Sequence, residues 1–197
     1  MSNNFDKALE ILLANEGQYA NDKEDLGGET YCGISRKFNP SWAGWQIIDK
    51  ANNLYPNDDK EFNSYLIDHD ISKLFYSFYK ENYWDKLQLE SIDSEKISIK
   101  LFDMAVNLGL PRVAGWLQAC LNILNYEDKF ELKIDNVIGE ITIKIINHLL
   151  SKGHEEILLN LLTIQQGYVY LRFAQYNPAQ RKFIEGWINR LKMKVDI

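Results

Sequence analysis

Apolar residues recur at helical spacing along most of this chain of 197 residues. Near the N-terminus, Phe5, Leu9 and Leu12 fall on one face of a first helix, which Gly17 ends because glycine adopts the left-handed conformation of a helix terminus. Later stripes predict helices after Pro56, after Asp70, from Ser94 to Gly109, from Pro111, after Gly139, over residues 155–176, and from Pro178 to about Lys194. The pattern therefore predicts a mainly α fold.

The helical pattern is lost between Gly17 and Asn39, where glycines lie among polar side chains. Such a composition is typical of a structured loop, and a short hairpin is expected around Tyr31 to Ser35. No repeat, linker or low-complexity segment interrupts the remaining chain. The sequence thus predicts a helical fold with one irregular loop or short hairpin after its first helix.

The net charge of the chain is −6, from 22 Lys and Arg against 28 Asp and Glu. This balance argues against a protein held mainly by nucleic-acid phosphates or by an anionic membrane surface. Apolar runs fall short of the roughly 20 residues that span a bilayer. Asp6, Lys7 and Glu10 interrupt the first helix, where a secretory signal needs an unbroken apolar core. We therefore expect synthesis in the cytoplasm without a signal peptide, and no membrane insertion.

Residues that form disulfides or bind metals are sparse. Cys32 and Cys120 exclude a disulfide scaffold, and two free thiols are favoured over one bridge. His69, His148 and His154 fit no short zinc motif and are expected to be structural or surface residues. The sequence also lacks a glycine-rich phosphate loop and a serine-hydrolase elbow. Neither a metal nor a cofactor is expected.

The densest cluster of reactive side chains follows the first helix and comprises Glu16, Asp22, Glu24, Asp25, Glu29 and Thr30. Glu16 ends that helix, where the macrodipole places a partial negative charge of about half a unit. This field and the nearby carboxylates favour a raised pKa for Glu16, as a general acid requires. Asp22 and Asp25 are candidates for a second carboxylate that orients water or stabilises an oxocarbenium-like transition state.

The residues alone leave a simpler interpretation open. A Glu before a terminal Gly is commonly a solvated helix end, and acidic loops are commonly solvated too. Tyr19, Tyr31, Trp42 and Trp45 are candidates for stacking on sugar rings, although core packing is favoured for the two tryptophans.

Four short motifs stand together after the first helix: Glu16-Gly17-Gln18-Tyr19, Asn21-Asp22, Gly27-Gly28-Glu29-Thr30 and Gly33-Ile34-Ser35. Further motifs are Phe78-Tyr79 through Tyr83-Trp84, Leu101-Phe102-Asp103, Val106 to Gly109, Asp135 to Gly139, and Phe183 to Arg190. Together and in this order they resemble glycoside hydrolase family 108, lysozyme-like N-acetylmuramidases that include many phage and prophage endolysins. Gln18 stands where the family signature has a second glycine.

The resemblance implies a lysozyme-like helical fold of two lobes packed as one unit. A catalytic lobe is expected over residues 1–92, and a helical lobe with a peptidoglycan-binding motif at Asp135–Gly139 over residues 93–197. By the same resemblance Glu16 is the catalytic acid and Asp25 the second catalytic carboxylate. The residues expected to bind substrate are Tyr19, Asp22, Thr30, Tyr31 and Asn107.

The implied activity is lysozyme activity, cleavage of the β-1,4 bond between N-acetylmuramic acid and N-acetylglucosamine in the glycan strands of peptidoglycan. Because this substrate lies outside the cytoplasm, release through a holin, a secretion partner or lysis is expected. Local basic side chains are expected to assist binding, around Arg181, Lys182, Arg190, Lys192 and Lys194. Two alternatives stay open: a non-catalytic wall-binding or secretion-accessory module, and a lytic transglycosylase that forms an anhydro sugar.

Overall fold

The computed structural model describes residues 3–15, 19–20, 28–126 and 131–191. Its helices are α1 (Asn4–Asn15), α2 (Gly44–Leu54), α3 (Asp59–Asp68), α4 (Ile71–Tyr79), α5 (Glu95–Leu108), α6 (Leu110–Leu124), α7 (Glu140–Ser151), α8 (Glu155–Tyr176) and α9 (Ile184–Leu191). Its strands are β1 (Tyr19–Ala20), β2 (Thr30–Tyr31) and β3 (Ile34–Ser35). A π-helical turn spans Lys80–Trp84, and 3-10 turns span Leu89–Ser91 and Pro178–Phe183. The mainly α prediction is confirmed.

The chain divides into two compact units. One comprises Asp6–Asn82, and the other begins at Tyr83 and also takes in the N-terminal residues as far as Phe5. The division into lobes at residue 92 stays a prediction. Within the described residues, no helix is both long and apolar enough to cross a membrane.

In the unit of residues 6–82, α2, α3 and α4 pack against one another. The buried face of α2 consists of Trp45, Ile48 and Ala51. The sequence pattern did not predict α2, because it placed the second helix only after Pro56. In contrast, α3 begins as expected, with the side chain of Asp58 accepting a hydrogen bond from the backbone N–H of Glu61 at 3.1 Å.

The three short strands form an antiparallel sheet in the order β1-β2-β3. Cys32 and Gly33 connect β2 to β3 with φ values of +46° and +81°. Two central residues with positive φ define the hairpin turn whose twist matches that of the strands. The hydroxyl of Tyr79 donates to the carbonyl oxygen of Cys32 at 2.7 Å and fixes this turn. The hairpin expected around residues 31–35 is therefore present.

In the other unit, α5 and α6 pack against α8, and α6 also packs against α7. Ser94 caps α5 by accepting from the N–H of Ile97 at 3.1 Å, and Gly109 ends it at φ +89°. Pro111 lies in the first turn of α6. These boundaries are the ones the sequence predicted.

A buried polar network joins α5, α8 and α9. Lys100, 1% exposed, donates to Oε1 of Gln166 at 2.7 Å, and Nε2 of Gln166 contacts Oδ2 of Asp103 at 3.3 Å. Nε of Arg190 pairs with Oδ1 of Asp103 at 2.8 Å. Lys100, Asp103 and Arg190 are the charged members of the network among the described residues. Burial lowers the pKa of Lys100 to about 8.

Candidate functional site

Arg36 fastens the small sheet to α2. Its guanidinium donates to both carboxylate oxygens of Asp49, at 2.6 and 3.1 Å, and pairs through Nε with Glu29 at 2.5 Å. The same group lies over the ring of Trp45, 4.5 Å from its centroid. Hydrogen bonding to Asp49, together with the charges of both carboxylates, raises the pKa of Arg36. Glu29 is thus an ion-pair partner of Arg36.

Tyr19 joins this network from β1. Its hydroxyl donates to Oε1 of Glu29 at 3.0 Å and accepts from Nδ2 of Asn52 at 3.0 Å. Its ring contacts Phe62 at a centroid distance of 5.2 Å. The side chain is therefore held at three points, and the backbone that leads out of α1 is anchored three residues after Glu16.

Tyr31 lies on β2, opposite Tyr19 in the register of the sheet. Its ring is buried and stacks on Trp42 at 6.0 Å with an interplanar angle of 23°. Trp42 in turn meets Trp45 edge-on at 5.1 Å. Burial raises the pKa of Tyr31. These rings form a packed aromatic cluster, as core packing of the tryptophans implied.

The other expected substrate-binding residues occupy different places. Thr30 is half-buried on β2, between Ala20 and Ser35 in the register. Asn107 is exposed in the last turn of α5, in the other unit, and donates to the carbonyl oxygen of Asp103 at 3.3 Å. Tyr19, Thr30 and Tyr31 are thus brought together by the sheet. The role of each in binding stays a prediction.

The expected catalytic residues Glu16 and Asp25 lie outside the described residues, as does Asp22. Glu16 directly follows Asn15, the last residue of α1, and no basic side chain lies in the final turn of that helix. Asp22 and Asp25 belong to the connection between β1 and Gly28. The described residues therefore include those on either side of these carboxylates in the sequence: the end of α1, strand β1 and Gly28.

The motif Asp135–Gly139 is clamped to α6 by one side chain. Gln118 donates to Oδ1 of Asp135 at 2.8 Å and to the carbonyl oxygen of Val137 at 2.9 Å. Its own oxygen accepts from the backbone N–H groups of Asp135 and Asn136. The bond from Gln118 holds the pKa of Asp135 below its usual range. A side chain at Gly115 would collide with Asn136, since an added Cβ would lie 2.2 Å from its Oδ1.

The remaining reactive and basic side chains of the described residues form neither a metal site nor a disulfide. No group of three or more His, Cys, Asp or Glu side chains within the described ranges is placed to hold a metal ion. Cys32 and Cys120 are buried free thiols. Arg190, expected in a basic surface patch, is instead engaged with Asp103 and its side chain is 13% exposed. Lys192 and Lys194 lie outside the described residues.

Sequence reasoning missed Arg36, Asp49 and Asn52. Asp49 and Asn52 are three residues apart and so share one face of α2, but this signal exists only once that helix is recognised. Glu29 was grouped with the reactive carboxylates, whereas the structure makes it part of the support of the sheet.

Comparisons with known proteins cover nearly the whole chain. Residues 113–192 match the family model described as Predicted Peptidoglycan domain. The solved structure of Brucella abortus SagA is similar at a TM-score of 0.59 and 19% identity, over 95% of this chain and 92% of the SagA chain, which supports the fold. No curated protein matches the chain. Residues 9–109, just over half of the chain, match the model Glycosyl hydrolase 108. The chain therefore belongs to the glycosyl hydrolase 108 family and is a peptidoglycan hydrolase.

Proposed function

We propose that the chain is an N-acetylmuramidase that cleaves the β-1,4 bond between N-acetylmuramic acid and N-acetylglucosamine, with Glu16 as the general acid. The observation that carries this proposal is the place of Glu16 between two fixed points. It follows the last residue of α1 and precedes Tyr19, which Glu29 and Asn52 hold. In the sequence, Glu16 therefore comes directly after the end of a helix and three residues before an anchored tyrosine.

The electrostatics of that position favour a protonated carboxyl group. The C-terminal end of a helix carries a partial negative charge, and α1 has no basic side chain in its last turn to offset it. A second negative charge is disfavoured there, so the proton is retained until it can pass to the leaving glycosidic oxygen. Protonation of that oxygen breaks the bond to the anomeric carbon, and a water molecule completes the hydrolysis.

Asp25 is proposed as the carboxylate that orients this water or stabilises the oxocarbenium-like transition state. Glu29 is not proposed for this role, because its carboxylate is bonded to Arg36 and to the hydroxyl of Tyr19. Tyr19, Asp22, Thr30, Tyr31 and Asn107 are proposed to contact the sugars. Activity in the cell would follow release through a holin or a secretion partner, and a phage-type endolysin is the biological setting that we propose.

Muropeptide release from purified sacculi tests the role of Glu16. We expect Glu16→Gln to lower the rate by roughly 100-fold to 10,000-fold, the range typical of a lost general acid. Glu10→Gln is the matched control, because Glu10 is an exposed carboxylate on α1 and should leave the rate unchanged. Equal release by Glu16→Gln and wild type would remove Glu16 from the mechanism.

Mass spectrometry of the released products tests the reaction type. Hydrolysis leaves a reducing end, whereas a lytic transglycosylase leaves an anhydro sugar. Binding to sacculi without any release, by wild type as well as by variants, would instead indicate a non-catalytic wall-binding module.

A further inference from the structure

The C-terminal half of α8 carries a ladder of exposed side chains, formed by Tyr168, Arg172 and Tyr176. They are four residues apart and so lie on one helix face. Tyr168 is 56% and Tyr176 65% exposed. The guanidinium of Arg172 lies 4.3 Å from the ring centroid of Tyr176 and 5.9 Å from that of Tyr168, and it donates to the hydroxyl of Tyr176 at 2.8 Å.

The ladder is not required by the core. The opposite face of α8 packs inward through Leu158, Leu162, Gln166 and Tyr170. Within the described ranges, no carboxylate pairs with Arg172, and most of the five N–H donors of its guanidinium are left for another acceptor. Among the described residues, Arg172 is thus held by two exposed rings and has no carboxylate partner.

A second cation lies beside the ladder. Nε of Arg181 donates to the carbonyl oxygen of Ala174 at 3.1 Å, which places that guanidinium at the C-terminal end of α8. Lys182 follows it and lies over the ring of Phe183. The ladder therefore continues into a short basic and aromatic segment, residues 178–183.

The charge of this region is opposite to that of the chain. Residues 157–184 contain no Asp or Glu, although the whole sequence has 28 in 197 residues. The same stretch holds Arg172, Arg181 and Lys182, so it carries +3 in a chain of −6. A surface that combines exposed rings with positive charge complements a polymer of sugars that also bears carboxylates.

We propose that the Tyr168–Arg172–Tyr176 ladder and Arg181 bind the glycan strand of peptidoglycan, as a holding site separate from the residues that carry out cleavage. The inference rests on the proposed function, since it takes the same polymer as ligand. The two tyrosine rings lie against sugar faces, and the guanidinium groups pair with carboxylates along the strand. Eight residues of helix rise about 12 Å, enough for more than one sugar ring.

Co-sedimentation with purified sacculi free of teichoic acid tests this site. The variants are Arg172→Gln and the double variant Tyr168→Ala/Tyr176→Ala. Arg112→Gln and Tyr126→Ala are the matched controls, because both replace exposed residues of the same type elsewhere in the unit. We expect about tenfold weaker binding for each ladder variant, no change for the controls, and a loss of the Arg172 effect at high salt.

In intact strands the lactyl carboxyl group of a muramic acid that bears a stem peptide is bound to it as an amide, so the carboxylates of those units belong to the peptides. An amidase hydrolyses this amide bond, removes the peptide and leaves a free lactyl carboxylate on the sugar. Such stripped strands separate binding to the glycan strand from binding to the peptides, and retained ladder-dependent binding to them supports the proposal. Binding of wild type that needs the peptides would overturn it. So would ladder variants that bind sacculi like wild type, or that change only the oligomeric state in light scattering.

Muropeptide release is measured on the same samples. If wild type cleaves sacculi and the ladder variants bind normally, the holding site is wrong and the proposed function stands. If wild type neither binds nor cleaves sacculi, the holding site and the proposed function are both wrong.

Discussion

At the scale of single residues, Gly44 shows how one missing side chain organises the aromatic cluster. A Cβ at this position would lie between 2.2 and 2.5 Å from carbons of the Trp42 ring. The absence of that atom allows Trp42 to lie flat over the first turn of α2 while it stacks on Tyr31. The ring geometry next to the candidate site therefore depends on a glycine.

We predict that Gly44→Ala destabilises the protein by about 1–3 kcal/mol, because the indole must move out of its stack. Urea unfolding followed by tryptophan fluorescence measures the change. Gly186→Ala is the control: this glycine lies within α9 with open space around it, so alanine should stabilise by about 0.5–1 kcal/mol. A neutral Gly44→Ala variant would show that the ring is not held as described.

At the scale of elements, the sequence predicted those helices whose ends carry side-chain signals. Ser94, Gly109 and Pro111 fixed the ends of α5 and α6. Helix α2 was missed because it has none of these signals. Its N-cap residue, Ala43, makes no side-chain cap bond, and no acidic residue lies in its first turn.

The same limitation applied to the candidate site. Local motifs indicated the carboxylates and the hairpin, since both are encoded within a few residues. The pairing of Arg36 with Asp49 joins a strand end to a helix 13 residues away, and spacing along the sequence does not reveal it. Strand β1 has only two residues, too few for any alternation to be visible.

The network between α5, α8 and α9 makes stability depend on pH. The pKa of Lys100 is about 8 in the folded protein and 10.5 ordinarily, so between these values the unfolded chain binds more protons. The free energy of unfolding therefore rises as the pH increases from about 8 to 10.5. It falls again as the pH is lowered through this range, because the buried amine must then take up a proton. From pH 7 to pH 9.5 the gain is about 2 kcal/mol.

Unfolding of wild type and Lys100→Met in urea at the two pH values measures this gain. The difference between the two proteins should shift by that amount in favour of wild type at the higher pH, because methionine does not titrate. The subtraction cancels groups that titrate equally in both proteins. A difference that is constant with pH would mean that Lys100 stays protonated in the folded state throughout.

At the scale of the whole molecule, the sequence families and the compact units divide the chain at different places. The two family matches meet between residues 109 and 113, which is the junction of α5 and α6. Those helices pack together, however, and both lie in the unit that begins at Tyr83. The last part of the hydrolase match, residues 83–109, thus lies inside a unit that also contains the whole match to the peptidoglycan domain.

Phe5 completes that unit from the other end of the chain. Its ring is fully buried, 5.3 Å from the ring centroid of Trp84 and 5.7 Å from that of Phe102. We predict that Phe5→Ala destabilises the protein by about 3–5 kcal/mol and increases amide hydrogen exchange in α5. Phe38→Ala, at a mostly exposed phenylalanine, should leave exchange in α5 unchanged. Unchanged protection of α5 in Phe5→Ala would exclude this packing.

The position of Phe5 has a consequence for synthesis on the ribosome. Its ring emerges first, whereas Trp84 and Phe102 emerge only after the whole of the other unit has been translated. The unit that begins at Tyr83 therefore cannot complete its core from late-synthesised residues alone, because that core includes Phe5 from the start of the chain. Removal of the first five residues would therefore destabilise the unit that begins at Tyr83, which is the part of the protein synthesised last.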